Sequence, residues 1–210
     1  MRDKGERKGE RKGERTRRVI VERAAALFNT KGYFGASMND LVRETGLEKG
    51  GIYNHFSSKD ELACAAFDYS ASLMRERFEA ALASREGTVE RLFAIVDVLG
   101  CLADDPPVAG GCPVLNTAVE SDDVHPELKE RAAEAMSGWL RLIGRTVKDG
   151  VRTGELAPDT DPRKTASVVV ATLEGAVMLS RLYDDPAYMS AVVEHLKEHL
   201  KSLETGRSGA

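Results

Sequence analysis

Apolar residues recur at helical spacing along most of the chain. Ile20, Ala24, Leu27 and Phe28 fall at i, i+4, i+7 and i+8, the stripe of an amphipathic helix that starts near Thr16 and ends at Lys31-Gly32-Tyr33. Ser37 followed by Asp40 reads as an N-cap with a variant capping box, Leu41 and Val42 give the next short helix its contacts, and Gly46 stands where it must stop. Ile52 and Phe56, four apart, form the buried stripe of a second short helix. The pattern predicts two short helices joined by a tight turn and packed on the first.

The remaining pattern is also helical. Ser58, with Glu61 three residues on, opens a long fourth helix carrying Leu62, Ala66, Tyr69 and Leu73, then Met74, Phe78 and Leu82. A fifth runs roughly from Thr88 to Ala103 and is broken by Asp104-Asp105-Pro106-Pro107. Cys112-Pro113 opens a short sixth, and His125-Pro126 a long seventh with Leu128, Ala132, Ala135, Trp139 and Leu142 in register. Asp161-Pro162 starts an eighth whose run from Ala166 to Leu182 is apolar on more than one face. The ninth, from about Pro186, carries Met189, Val193, Leu196, Leu200 and Leu203. A helix apolar on two faces must be covered from two sides. The last two helices are therefore expected to form a homodimer interface, at Val169, Leu173, Val177, Val193, Leu196 and Leu200. The fold class is all-α with about nine helices, divided into a low-complexity arm at 1–15, a short helical part at 16–60 and a longer helical body at 61–205.

Charge changes this picture at one end. The chain carries a net charge of −4, but residues 1–60 carry +5 and the remainder −9. A basic end on an acidic protein fits one that presents that end to phosphate. The first fifteen residues repeat Lys-Gly-Glu-Arg three times, at Lys4, Lys8 and Lys12. A glycine in each unit costs about 1 kcal/mol relative to alanine in a helix, so a disordered or frayed arm is expected there. The short helix after Gly46 leaves Lys49, Gly50, Gly51, Tyr53, Asn54 and His55 off its buried stripe, a set suited to DNA contact. No run reaches 18 uninterrupted apolar residues, and the charged N-terminal stretch is unlike a signal peptide. Three cysteines at irregular spacing (Cys64, Cys101, Cys112) fit reduced thiols and a cytoplasmic location.

The stretch Lys49 to Leu62, KGGIYNHFSSKDEL, preceded by Phe28, Gly32 and Tyr33, resembles the TetR family of bacterial transcriptional repressors. The likeness is close over about residues 16 to 62 and is only an all-helical pattern beyond. It implies a three-helix helix-turn-helix DNA-binding domain at 16–60 and a ligand-binding and dimerisation domain at 61–205, in a repressor that binds a palindromic DNA operator as a homodimer, with its last two helices in a four-helix bundle, and that a small effector releases. Ser37, Tyr53, His55 and Lys59 match positions that usually hold the DNA backbone. Lys49, Gly50, Gly51 and Asn54 match positions near the major groove. Two residues depart from the family: Glu48 stands where Ser or Thr commonly caps the reading helix, and Gly51 where Thr or Ser is usual. Glu48 would repel phosphate unless it accepts from a cytosine amino group.

For a small, mostly apolar effector, the expected lining is Phe67, Met74, Leu99, Leu102, Cys112, Asn116, Trp139, Ile143 and Met178, with Asn116 as a polar anchor. Core packing explains each of these singly. Glu174 interrupts an apolar run and is read as structural. Cys112, at a helix N-terminus in a Gly-Cys context, offers an alternative, a thiol-based electrophile or redox sensor with Cys101 as its resolving partner. His195 and His199 are spaced for a metal but lack a third ligand, and Glu120, Asp122, Asp123 and His125 read as a helix boundary. No cofactor or metal is expected. A small helical enzyme is the remote alternative, and it would need a polar catalytic cluster that the sequence does not offer.

Overall fold

A computed structural model describes residues 3–122 and 124–206, with side chains from Lys12 onward. The described residues form nine helices: α1 (Asp3–Lys31), α2 (Met38–Thr45), α3 (Lys49–Tyr53), α4 (Lys59–Leu82), α5 (Thr88–Gly100), α6 (Pro113–Ser121), α7 (Pro126–Thr153), α8 (Pro162–Tyr183) and α9 (Ala187–Ser202). The chain is all-α, as its periodicity predicts. It divides into two compact units, one of residues up to 71 with 108–131, the other of 72–107 with residues from 132 on. The split differs from the expected one at residue 60, because α6 and the first turn of α7 return to the unit that holds α1 to α3. A partition drawn along the sequence cannot show such a return.

In the first unit, Ile20 and Ala24 of α1 are fully buried, and Leu41, Ile52, Phe56 and Leu62 are at most 2% exposed. These are the apolar stripes read from the sequence, and they hold α2 and α3 on α1. The Arg17 guanidinium lies 4.7 Å above the Phe56 ring and covers its outer face. The Ser37 cap forms as expected: its hydroxyl oxygen accepts the Asp40 N–H at 3.1 Å, and the Asp40 carboxylate accepts the Ser37 N–H at 2.9 Å. Gly46 ends α2 at φ 68, the left-handed turn for which glycine is suited. At α4, Ser58 Oγ accepts the Glu61 N–H, but the Glu61 carboxylate reaches Ser57 instead of Ser58.

The backbone of α1 is helical from Asp3, so the repeat continues the helix where a frayed arm was expected. The physical reason is that nucleation, the costly step, has already occurred in the packed part of α1. Extension then needs only propagation, and three of the four residues in each repeat are good helix formers.

In the second unit α5, α8 and α9 pack together. Gly100 of α5 lies so close to α9 that an added Cβ would stand 2.9 Å from Val193 Cγ2. Asp161 caps α8 by accepting the Arg163 and Lys164 N–H groups. Glu155 does the same for α5 from a distance in sequence, accepting the Thr88 N–H at 2.7 Å and the Thr153 hydroxyl at 2.8 Å. These hydrogen bonds, the Thr88 N–H foremost, hold the Glu155 carboxyl below its ordinary range. A depressed folded-state pKa contributes stability that is present above the unfolded value and lost as pH falls through the folded one. Glu155→Gln should therefore lower the urea midpoint at pH 7, and its deficit against the parent should shrink below about pH 4. A deficit constant across that range would assign the loss to packing instead.

Candidate DNA interface and effector cavity

Of the residues expected at DNA, Ser37, Glu48, Lys49, Gly50, Tyr53 and Asn54 are exposed, and Gly51, His55 and Lys59 are half-buried. The exposed face of α3 has little of its own chain against it. A Cβ added at Gly50 would meet nothing within 4 Å, and one at Gly51 only Leu47 Cβ at 3.7 Å. Neither glycine has positive φ. Neither backbone conformation nor packing within the chain explains the pair. Glu48 occupies the N-cap of α3 without a side-chain capping bond. Its carboxylate is thus unspent on the helix it precedes. The Lys49 ammonium stands 5.8 Å from the Tyr53 ring, so a cation and a phenol share this face.

Two expected backbone anchors already have partners. The Ser37 hydroxyl donates to Asp40 at 2.7 Å. Lys59 donates to the Tyr33 carbonyl and lies 4.2 Å above the Tyr33 ring and 6.0 Å from that of Phe28. Burial lowers the Lys59 pKa, opposed by Asp60 and Glu120. The long stem of a lysine at a helix start packs over aromatics that the sequence does not place beside it.

The effector-lining set separates by unit. Phe67 and Asn116 meet in a mostly apolar cavity of about 30 Å³ in the first unit, whose polar edge includes Glu120 and His125. Cys112 belongs to the same unit and is fully buried. It caps α6, its Sγ accepting the Leu115 N–H at 3.3 Å. That burial closes it to reagents in this conformation. Met74, Leu99, Leu102 and Ile143 are core residues of the second unit at 2% exposure or less, and Trp139 packs edge-on to Phe78 at 6.0 Å. Met178 is 55% exposed on α8, an outer position where a cavity wall was expected.

The residues expected at a subunit interface pack inward. Val169, Leu173, Val177, Leu196 and Leu200 are all at most 2% exposed in the single chain, and Val193 faces Gly100 of α5. The large apolar residues left exposed on α8 are Val168, Met178, Leu182 and Tyr183. Of two apolar faces, the one richer in branched side chains has gone inward. His195 and His199 are exposed, and among the described residues no group of three or more His, Cys, Asp or Glu could hold a metal. Asp123, read as part of a helix boundary, lies outside the described residues.

Sequence reading missed two links from α6 to the end of α1 and the loop after it, one from Glu120 to Tyr33 and one from Asn116 to Asn29. The Glu120 carboxylate accepts the Tyr33 N–H at 2.7 Å and the Phe34 N–H at 2.9 Å. Asn116 donates to the Asn29 side chain at 2.9 Å. The Tyr33 hydroxyl donates to Asp60, and burial foremost, then Asp60, raises its pKa. The only local signal was polar residues spaced four apart on a short helix.

Comparison with known proteins decides the family. Residues 20–66 match the model for bacterial regulatory proteins of the tetR family, and residues 88–196 match the tetracyclin repressor-like C-terminal domain. The chain belongs to the TetR family. A TetR transcriptional regulator from Chloroflexus aurantiacus J-10-FL is 45% identical and superposes with a TM-score of 0.89, covering 92% of this chain and 98% of its own. A TetR-family regulator from Cytophaga hutchinsonii is 35% identical with a TM-score of 0.84, over 93% and 98% of the two chains. The HTH-type transcriptional regulator LmrA of Bacillus subtilis is 26% identical over 79% of this chain and 86% of its own. This TetR-family chain is thus a DNA-binding transcriptional regulator, and its relatives are regulators rather than enzymes.

Proposed function

We propose that this regulator is a repressor that binds a palindromic operator as a homodimer and is released by a small, mostly apolar effector. The observation that carries the DNA part is the open face of α3, where Gly50 and Gly51 have no intramolecular reason to be glycine. There Lys49 and Asn54 are placed to read bases, and Tyr53 and His55 to hold phosphates. Exposed apolar residues on α8 support pairing of two copies. For the effector, the cavity beside Phe67 and Asn116 supplies an apolar wall with a polar edge. At about 30 Å³ it holds water-sized occupants, so an effector must part its walls to enter. Those walls include the loop between α1 and α2, and an effector that prefers the parted state disfavours DNA binding.

Selection from a random duplex pool tests this. The protein should enrich an inverted repeat. Gly50→Ala should stabilise the first unit by about 1 kcal/mol, because alanine favours the helix, yet lose or alter the enriched sequence. Failure to enrich any sequence would overturn the operator reading. An unchanged motif in the alanine variant would remove α3's glycines from recognition.

A further inference from the structure

One face of α6 is tied to the end of α1 and the loop that follows it. Glu120 takes one loop N–H on each carboxylate oxygen, Tyr33 on Oε2 and Phe34 on Oε1. Gly32, just before them, has φ +77, and a Cβ there would stand 2.5 Å from Glu120 Oε1. The carboxylate therefore fills space that only glycine leaves open. One turn earlier on α6, Asn116 Nδ2 donates to the Asn29 carbonyl at 3.2 Å and to its side-chain oxygen at 2.9 Å. Asn29 in turn donates to the carbonyls of Ala109 at 3.0 Å and Gly111 at 3.2 Å, in the segment leading into α6. Asn116 and Glu120 are four apart and so share a helix face.

We infer that Glu120 is a positioning residue for DNA binding. It fixes the loop between α1 and α2, and through that loop Ser37 and the start of α2. Glu120 itself makes no DNA contact in this scheme. Charge-assisted bonds from two consecutive N–H groups set both the direction and the distance of the loop. Without them the loop samples other conformations, and the apparent affinity for DNA falls by the fraction of molecules still competent to bind.

The test uses the full chain and a duplex selected by the parent protein. Glu120→Ala should raise the DNA dissociation constant about tenfold, with the preferred sequence and the salt slope unchanged, since no phosphate contact is lost. Amide exchange at Tyr33 and Phe34 should accelerate. Glu120→Gln removes the charge but keeps one acceptor and the volume, so it should fall between the two. It also serves if the alanine variant does not fold. If charge alone mattered, Gln and Ala would act alike and the salt slope would shift. Gly32→Ala should weaken binding too, and by a smaller factor in the Glu120→Ala background, where the colliding carboxylate is gone. Val119→Ala, at the exposed neighbouring position, should change nothing. Faster exchange at Tyr33 and Phe34 with unaltered DNA affinity would overturn the positioning role.

Discussion

Phe56→Ala is expected to destabilise the DNA-binding unit by about 3–5 kcal/mol, the cost of removing a buried aromatic ring and leaving a cavity. The ring is 2% exposed, and its outer face is covered by the Arg17 guanidinium at 4.7 Å. The substitution therefore removes core packing and a cation–π contact together, the latter worth a further ~0.5–1 kcal/mol at a surface site. Against a total stability of about 5–15 kcal/mol for a domain, a loss of this size populates open forms of α2 and α3. Amide exchange should show α2 and α3 deprotected, while amides of α5, α8 and α9, in the other unit, stay slow. DNA binding should be lost at growth temperature even though much of the helical signal remains. A drop in thermal midpoint of only a degree or two would mean that Arg17 and its neighbours collapse into the cavity, and that Phe56 is not the support of the reading helices.

Phe56 was legible in the sequence because its role is local. Ile52 and Phe56 lie one turn apart, Ser37 and Asp40 close a cap within four residues, and Gly46 stops a helix by its own conformation. Such features need no knowledge of distant partners. Glu120 shows the opposite case. Its partners Tyr33 and Phe34 lie 87 and 86 residues away, so it reads as a helix boundary until the fold brings α6 back to α1. Lys59 was legible as a position but not as a contact, since the aromatic rings that take its ammonium come from another helix end. That α8 is apolar on two faces was legible. Which face turns inward was not, because that depends on what α5 and α9 offer to pack against it.

On α8, Val168, Ala171, Gly175, Met178 and Leu182 follow one another at helical spacing, and none of them is buried in its own unit. A row of this kind on a helix whose opposite face is already packed is what a second copy would cover. If two copies pair through this row as proposed, Met178→Glu should leave the chain monomeric in sedimentation analysis at micromolar concentration where the parent is dimeric, because a carboxylate would be buried without a partner against the second copy. DNA affinity should then fall by a factor of about 10²–10⁴, since two linked half-site contacts become two separate ones. Because Met178 is 55% exposed, the thermal stability of the isolated subunit should change little. Val177→Ala supplies the contrast. Val177 is 2% exposed on the inward face, so its truncation should cost stability while leaving the dimer intact. If Met178→Glu stayed dimeric and Val177→Ala dissociated, the pairing surface would be the inward face after all, and α8 would have to leave its own unit to reach a partner.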